Sequence, residues 1–266
     1  MQLREALARA IAGGLVAVAI TFVARHTRSL TMSGAVAAAI VGTLAIAAGW
    51  SWGLLVCSFF VTASALSGLG ARRKAELVAS VTQKSGERDA KQVLSNGGVF
   101  AVSALAYLLL PSPIWYATGI GALAASTADT WATEVGTLSG SEPLSIISGR
   151  KVAPGTSGGV TLIGTVAAAA GALFIAAGAT LANWPVPFAA VALGGTAGAL
   201  ADSFLGATVQ DRRWCDVCAM STERLVHNCG TPTRHAGGIA GFDNDAVNAV
   251  CSGVGALVAL LLSGTR

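Results

Sequence analysis

Eight apolar runs of spanning length, near residues 8–24, 30–49, 52–70, 96–112, 114–130, 158–180, 186–208 and 239–263, constrain this chain more than any motif in it. Their connections are of two alternating kinds. Those near Gly49–Ser51, Pro111–Pro113 and Asn183–Pro187 are short and carry no lysine or arginine. The others hold Arg25 and Arg28; Arg72, Arg73, Lys74, Lys84, Arg88 and Lys91; Arg150 and Lys151; and Arg212, Arg213, Arg224 and Arg234, which make 14 of the 17 basic residues. Cytoplasmic loops of membrane proteins concentrate lysine and arginine. The alternation therefore predicts an all-α, polytopic transmembrane helix bundle of about eight spans (six to eight), with both termini outside. A single transmembrane domain, 1–266, accounts for the chain, with cytoplasmic loops at about 71–95, 131–157 and 209–238. Only 11% of the residues are charged and 53% are hydrophobic, whereas soluble domains carry about 25% charged residues. The net charge of +4 follows from those loops, and no nucleic acid is expected as a partner.

The polar residues that interrupt the runs are concentrated between Ala122 and Gly159. On a helix, Ser126, Asp129, Thr130, Thr133, Glu134 and Thr137 fall within an arc of about 140°. Carboxylates and hydroxyls on one face suit a hard cation such as Mg²⁺. A loop with Arg150 and Lys151 follows, then the turn Pro154-Gly155-Thr156-Ser157-Gly158-Gly159, which opens the next apolar run. Glycines with free backbone N–H groups behind a basic pair suit a phosphate. Intramembrane carboxylates cost about 2.5–3.5 kcal/mol each on the insertion scale, so two on one hydroxyl-lined face argue for function.

The seventh run repeats the idea. Ala201-Asp202-Ser203-Phe204 parallels Ala128-Asp129-Thr130-Trp131, and Gly195, Ala199, Asp202, Ser203, Gly206 and Gln210 share a helical face. After each of these two helices come a polar loop, Gly-Thr, Gly-Gly and a further span. The pattern suggests an internal duplication of two helical hairpins running the same way, which would bring Asp129 and Asp202 together. Elsewhere, Arg88, Lys91, Gln92 and Asn96 are placed to close one wall of a site, Gln92 and Asn96 being four residues apart on a helix. Phe242-Asp243-Asn244-Asp245-Ala246-Val247-Asn248 opens the last span. There Asp243 reads as a helix cap, while Asn244 and Asn248 share a face with Asp245 beside them. In the last polar loop, Cys215-x-x-Cys218 and His227-x-Cys229 can make a four-coordinate zinc site that pins the loop; reduced thiols without metal are the alternative.

ADTWATEVG (128–136), KVAPGTSGGV (151–160), ADSFLGATVQ (201–210) and FDNDAVN (242–248), in that order, resemble the phytyl-phosphate kinase family of the vitamin E pathway and its prokaryotic relatives. The resemblance runs from about Arg72 to Asn248. It implies transfer of the γ-phosphate of a nucleoside triphosphate, CTP or ATP, onto a prenyl monophosphate (phytyl or geranylgeranyl type), in the cytoplasmic membrane of a prokaryote with the active site at its cytoplasmic face. The residues themselves support such chemistry. No GxxxxGK[ST] occurs, which excludes a P-loop kinase, and phosphoryl transfer needs metal, positioning and charge neutralisation. Asp129, Glu134, Asp202 and Asp245 would hold Mg²⁺, with Asp129 and Asp202 central. Gly155 to Gly159 and Lys151 would cradle phosphates, and Arg88 would clamp them. Two alternatives stay open: a transporter of a lipid phosphate or another small anion, and a nucleotidyl or CDP-alcohol-type transferase.

Overall fold

The computed structural model describes residues 2–83 and 86–264, so Lys84, counted above among the loop residues, lies outside them. The described chain is mostly helical: α1 (Gln2–His26), α2 (Met32–Ala48), α3 (Trp50–Gly68), α4 (Ala71–Val78), α5 (Ala90–Leu109), α6 (Pro113–Ser139), α7 (Leu162–Leu181), α8 (Phe188–Thr208) and α9 (Asn244–Ser263). Two small antiparallel sheets fill the polar loops. β1 (Leu144–Ser145) pairs with β2 (Gly159–Val160), and β3 (Arg212–Cys215) lies between β4 (Met220–Thr222) and β5 (Arg234–Gly237). Six of the helices are long and apolar enough to cross a membrane by length and composition. The other two long ones are α2, apolar but 17 residues in length, and α6, which carries Asp129 and Glu134 along its 27 residues.

Apolar runs locate the helices, but caps set their ends. The Thr31 and Thr161 hydroxyls accept from the N–H groups of Gly34 (3.1 Å) and Gly164 (3.0 Å), opening α2 and α7. Asp89 and Gln92 form a reciprocal capping box that starts α5 at Ala90, ahead of the run expected from residue 96. Ser112 and Pro113 open α6. Asp243 caps α9 as expected, accepting from Ala246 N at 3.2 Å. The expected loop at 131–157 is shorter than read: Trp131, Ala132, Val135 and Leu138 keep α6 helical to Ser139, where Gly140 adopts left-handed backbone (φ 68°) and ends it.

α6 is the centre of the bundle. It touches α3, α4, α5, α7, α8 and α9, and every residue from Gly119 to Ala128 is buried. A helix covered on all sides must be small or apolar all round. Small residues let the backbones approach: Gly121 of α6 and Gly194 of α8 both face the Gly255 carbonyl of α9, and Gly198 rests on Ala125. Ala125 meets Gly198 and Asp129 meets Asp202, pairs with the same separation in sequence, 73 residues (125 to 198, 129 to 202). α6 and α8 therefore run in the same direction, with α7 and α9 each packed against both. This is the arrangement that two like-oriented hairpins, α6–α7 and α8–α9, produce.

The two ends of the bundle differ. Beside the short, uncharged connections, Trp52 packs its ring 5.3, 5.8, 5.4 and 4.6 Å (centroid to centroid) from Phe100, Tyr107, Tyr116 and Trp184. Tyr116 donates to the Tyr107 hydroxyl at 2.9 Å and Trp184 Nε1 to Ser51 Oγ at 3.0 Å. Tryptophan and tyrosine favour the membrane interface. The opposite end carries the basic loops.

Candidate functional site

At that basic end the helices enclose a cavity of about 910 Å³. Asp129 of α6 and Asp202 of α8 bring their carboxyl groups within hydrogen-bonding reach of each other. Asp202 Oδ1 is buried and has no hydrogen-bond partner. Glu134, and Asn244, Asp245 and Asn248 at the start of α9, line the same space, as do Arg88, Gln92 and Asn96 on the α5 side. All four carboxylates read from the sequence as cation ligands thus share one cavity. Ser126 does not. It is fully buried, donating to Asn96 O (2.8 Å) and lying 2.8 Å from Ser252 Oγ, where it knits α5, α6 and α9 together.

Residues 154–159 wrap the turn against this cavity. The turn does not open a helix, contrary to expectation: Gly159 enters β2, and Thr161 caps α7 separately. Gly155 and Gly158 take left-handed backbone (φ 83° and 75°), which only glycine adopts at little cost. Thr156 N and Gly159 N are held internally by Ala153 O (3.1 Å) and Thr156 O (2.9 Å). Among the described residues, the N–H groups of Gly155, Ser157 and Gly158 have no acceptor. Successive free N–H groups in such a turn form an anion-binding concavity.

The cations are arranged differently from the sequence expectation. Lys151 does not line the cavity; its backbone bridges Leu144 and its exposed ammonium pairs with Glu142 on the surface. Arg88 lines the cavity, but its guanidinium is bound to α3, donating to Ser67 Oγ (2.8 Å), Ser64 Oγ (3.3 Å) and Ala63 O (3.3 Å). Gln92 is engaged in the α5 capping box, and Asn96 Nδ2 donates to Gln92 O at 3.0 Å. The cation that sequence reading missed is Lys74. It is 7% exposed, donates to Leu66 O at 2.7 Å and pairs with Glu134, which also accepts from Ser67. In the sequence it is the last of the basic triplet Arg72-Arg73-Lys74, and nothing there separates it from a solvated anchor. Lys91 reaches across to α9, pairing with Asp243 and lying 3.7 Å from Asp245 Oδ2.

Glu223, also missed, comes from the loop after β4. Its carboxyl accepts from Ser157 of the glycine turn and from Gln210 Nε2 (2.9 Å). Burial pushes its pKa up to about 7; the Ser157 and Gln210 hydrogen bonds oppose the rise, and Asp243 adds to it. Between the ordinary glutamate value of 4.5 and about 7, the folded chain holds a proton here that the unfolded chain has released. The resulting stabilisation is complete below pH 4.5 and is lost as pH rises through 7. In metal-free detergent solution the melting temperature should fall between pH 5 and 8, and Glu223→Gln should make that fall smaller. An unchanged slope in the variant would place its source elsewhere. At about 1.4 kcal/mol per pKa unit, the effect is on the order of 3 kcal/mol at most.

Cys215, Cys218, His227 and Cys229 gather into one cluster, as their spacing predicts, but outside the cavity lining. A second, apolar cleft of about 100 Å³ adjoins the cavity and is lined by Ile20, Val41, Cys57, Phe59 and Phe60 among others. It shares Arg88, Gln92, Asn96 and Thr130 with the polar cavity.

A bundle of long apolar helices closed around small residues, with a carboxylate-lined cavity at one end, is a polytopic integral membrane protein. The chain belongs to the family described as Integral membrane protein DUF92, which matches residues 15–256. It is similar to Protein PGR of Arabidopsis thaliana, 32% identical over 260 residues that cover 87% of this chain and 88% of that protein. An uncharacterized membrane protein of Methanocaldococcus jannaschii is 30% identical over 206 residues, covering 76% and 84%. Another, from Synechocystis, is 32% identical over 141 residues, covering 52% and 54%. These plant and prokaryotic relatives agree with the resemblance read from the motifs. No solved structure matches the chain.

Proposed function

We propose that the protein is a Mg²⁺-dependent membrane kinase that transfers the γ-phosphate of CTP or ATP to a prenyl monophosphate of the phytyl or geranylgeranyl type, giving the prenyl diphosphate. The observation that carries this reading is the facing pair Asp129 and Asp202 in a cavity whose wall is a glycine turn with three unengaged N–H groups. The donor set fits a hard cation: it consists of oxygens, and one of them, Asp202 Oδ1, is buried without a partner. Asp129 and Asp202, with Asp245 nearby, would hold Mg²⁺, which would neutralise charge on the transferring phosphoryl group. Glu134, already committed to Lys74 and Ser67, would act from further out.

The chain's own groups position the reactants. The N–H groups of Gly155, Ser157 and Gly158 take phosphate oxygens, and Asn244 and Asn248 offer side-chain amides from α9. An oxygen of the lipid phosphate attacks the γ-phosphorus in line. The bond from that phosphorus to the β–γ bridging oxygen breaks, and the nucleoside diphosphate leaves with the electron pair. A phosphate monoester is already an anion, so no protein base is needed.

The junction of the two cavities supports an amphiphilic acceptor, its head among Arg88, Gln92 and Asn96 and its chain in the apolar cleft. The positive-inside rule puts this end of the bundle on the cytoplasmic side, within reach of soluble nucleotide, with both termini outside. Purified protein given Mg²⁺, CTP or ATP and a panel of prenyl monophosphates should yield lipid diphosphate and nucleoside diphosphate in equal amounts. Release of pyrophosphate would replace this reading with nucleotidyl transfer. Silence from a folded sample would move the question to transport in proteoliposomes. Cys57→Phe, which fills the cleft, should raise KM for the long-chain lipid about tenfold, since each buried CH₂ is worth about 0.8 kcal/mol. The KM for nucleotide should stay unchanged.

A further inference from the structure

The polar loop between α8 and α9 carries a second cluster of ligating groups that the phosphotransfer reading does not use. Cys215 ends β3, Cys218 lies in the turn to β4, and His227 and Cys229 sit in the following loop, closed by Val226 pairing with Pro232 and by His227 N donating to Thr231 O at 2.9 Å. One ligand atom from each of the four lies within 4.8 Å of all the others. The Cys215 and Cys229 sulfurs are 3.6 Å apart, and His227 Nδ1 is 3.4 Å from Cys229 Sγ. Bond lengths of about 2.3 Å for Zn–S and about 2.0–2.1 Å for Zn–N give tetrahedral edges of about 3.8 Å between sulfurs and about 3.5 Å between sulfur and nitrogen. All three thiols are free, and 3.6 Å is far from the roughly 2.05 Å of a disulfide.

The backbone is shaped to the same end. The residue after each second ligand is left-handed, Ala219 at φ 50° and Gly230 at φ 81°. Glycine adopts it at little cost but alanine seldom does, so the turn after Cys218 carries a conformational cost that a bound ion would offset. Cys215 and His227 face inward (0% and 6% exposed), while Cys218 and Cys229 close the cluster from outside.

We propose that Cys215, Cys218, His227 and Cys229 bind one Zn²⁺ in a closed, four-ligand site that holds the wall of the cavity in place. Four protein ligands complete the tetrahedral shell and leave no position for substrate, which is the mark of a structural site. What the site holds can be read from the contacts of its loop. Glu223 N and Thr222 Oγ1 donate to Val81 O (2.8 and 3.1 Å), and Asn228 Nδ2 donates to Ala79 O at 2.9 Å. Glu223 then engages Ser157 and Gln210. The ion thus ties the segment after α4, the glycine turn and the end of α8 into one wall.

Metal content is read on the resting protein, so this assignment is tested apart from the kinase reading. Protein purified in detergent and freed of loose metal should retain about one zinc per chain by elemental analysis. Cys218→Ser and Cys229→Ser, both at exposed positions, should lose it. His227→Cys, which keeps four ligands, should retain zinc where His227→Ala does not. Co²⁺ in place of zinc should give the intense visible bands of a tetrahedral, thiolate-rich site. A folded protein that holds no zinc and gives no such spectrum, or whose Cys215 and Cys229 prove to be joined as a disulfide, would overturn the assignment.

Discussion

Asp129→Asn and Asp202→Asn should each lower turnover by about 10²–10³-fold, the scale on which loss of one preorganised charge-stabilising group is felt, while the bundle stays folded. Asparagine keeps the shape of aspartate, and at this site it also relieves the crowding of two carboxyl groups within reach of each other. Without Mg²⁺ the variants should therefore melt no lower than the parent. The parent should gain about 2.7 kcal/mol when Mg²⁺ is present at a hundred times its Kd, and both variants should lose that gain. Thermal shift with and without Mg²⁺, read beside the coupled lipid and nucleotide assay, measures the two effects separately. Near-normal activity in both variants would remove the acid pair from the chemistry.

Gly158→Ala should be nearly as damaging by a different route. The left-handed backbone at Gly158 (φ 75°) would cost alanine about 1–2 kcal/mol. The added carbon would also collide with Ala207 Cβ, and would stand 2.7 Å from Ala207 N and Ser203 O. The turn would have to leave α8 one residue from Asp202, and a displacement of about 1 Å can cost on the order of 10²-fold in rate. Gly149→Ala is the control. It has the same backbone handedness (φ 64°), yet nothing lies within 4 Å of the added carbon, so it should lose a little stability and no activity. If the two variants behave alike in kcat/KM, the close seat of the turn on α8 is not what positions the substrate.

The helices and the acid pair were readable because both violate or obey a pattern over many residues. An apolar run long enough to cross a bilayer has few alternatives, and Asp129 and Asp202 stand out because each interrupts one. The 131–139 segment carries both signals: its polar residues fit a loop by hydropathy, while the spacing of Thr133, Glu134 and Thr137 fits one face of a helix, and the helix prevails with those residues on the cavity. Lys74 and Glu223 gave no signal, since their burial comes from partners 60 and 66 residues away in the chain. Lys151 was drawn into the site by its place next to the glycine turn. Its backbone lies against the β1 strand, and that pairing turns its side chain outward to Glu142. Sequence adjacency and spatial adjacency part company wherever a short strand intervenes.

The parallel course of α6 and α8 has a consequence for the two sides of the cavity. Ala125 against Gly198 and Asp129 against Asp202 make the hairpins α6–α7 and α8–α9 approximate counterparts of each other. The match is partial: Asp129 and Asp202 correspond, but Glu134 stands on α6 alone and Asn244, Asp245 and Asn248 on α9 alone. The segments around the four helices differ further. On one side the connecting loop is the glycine turn with its free N–H groups; on the other it is the thiol-rich sheet that carries Glu223. α5 stands outside the four, with the apolar cleft beside it. The cavity is therefore lopsided in its loops and unmatched residues, and if the protein is the kinase proposed above, those segments are where relatives with other substrates should differ most.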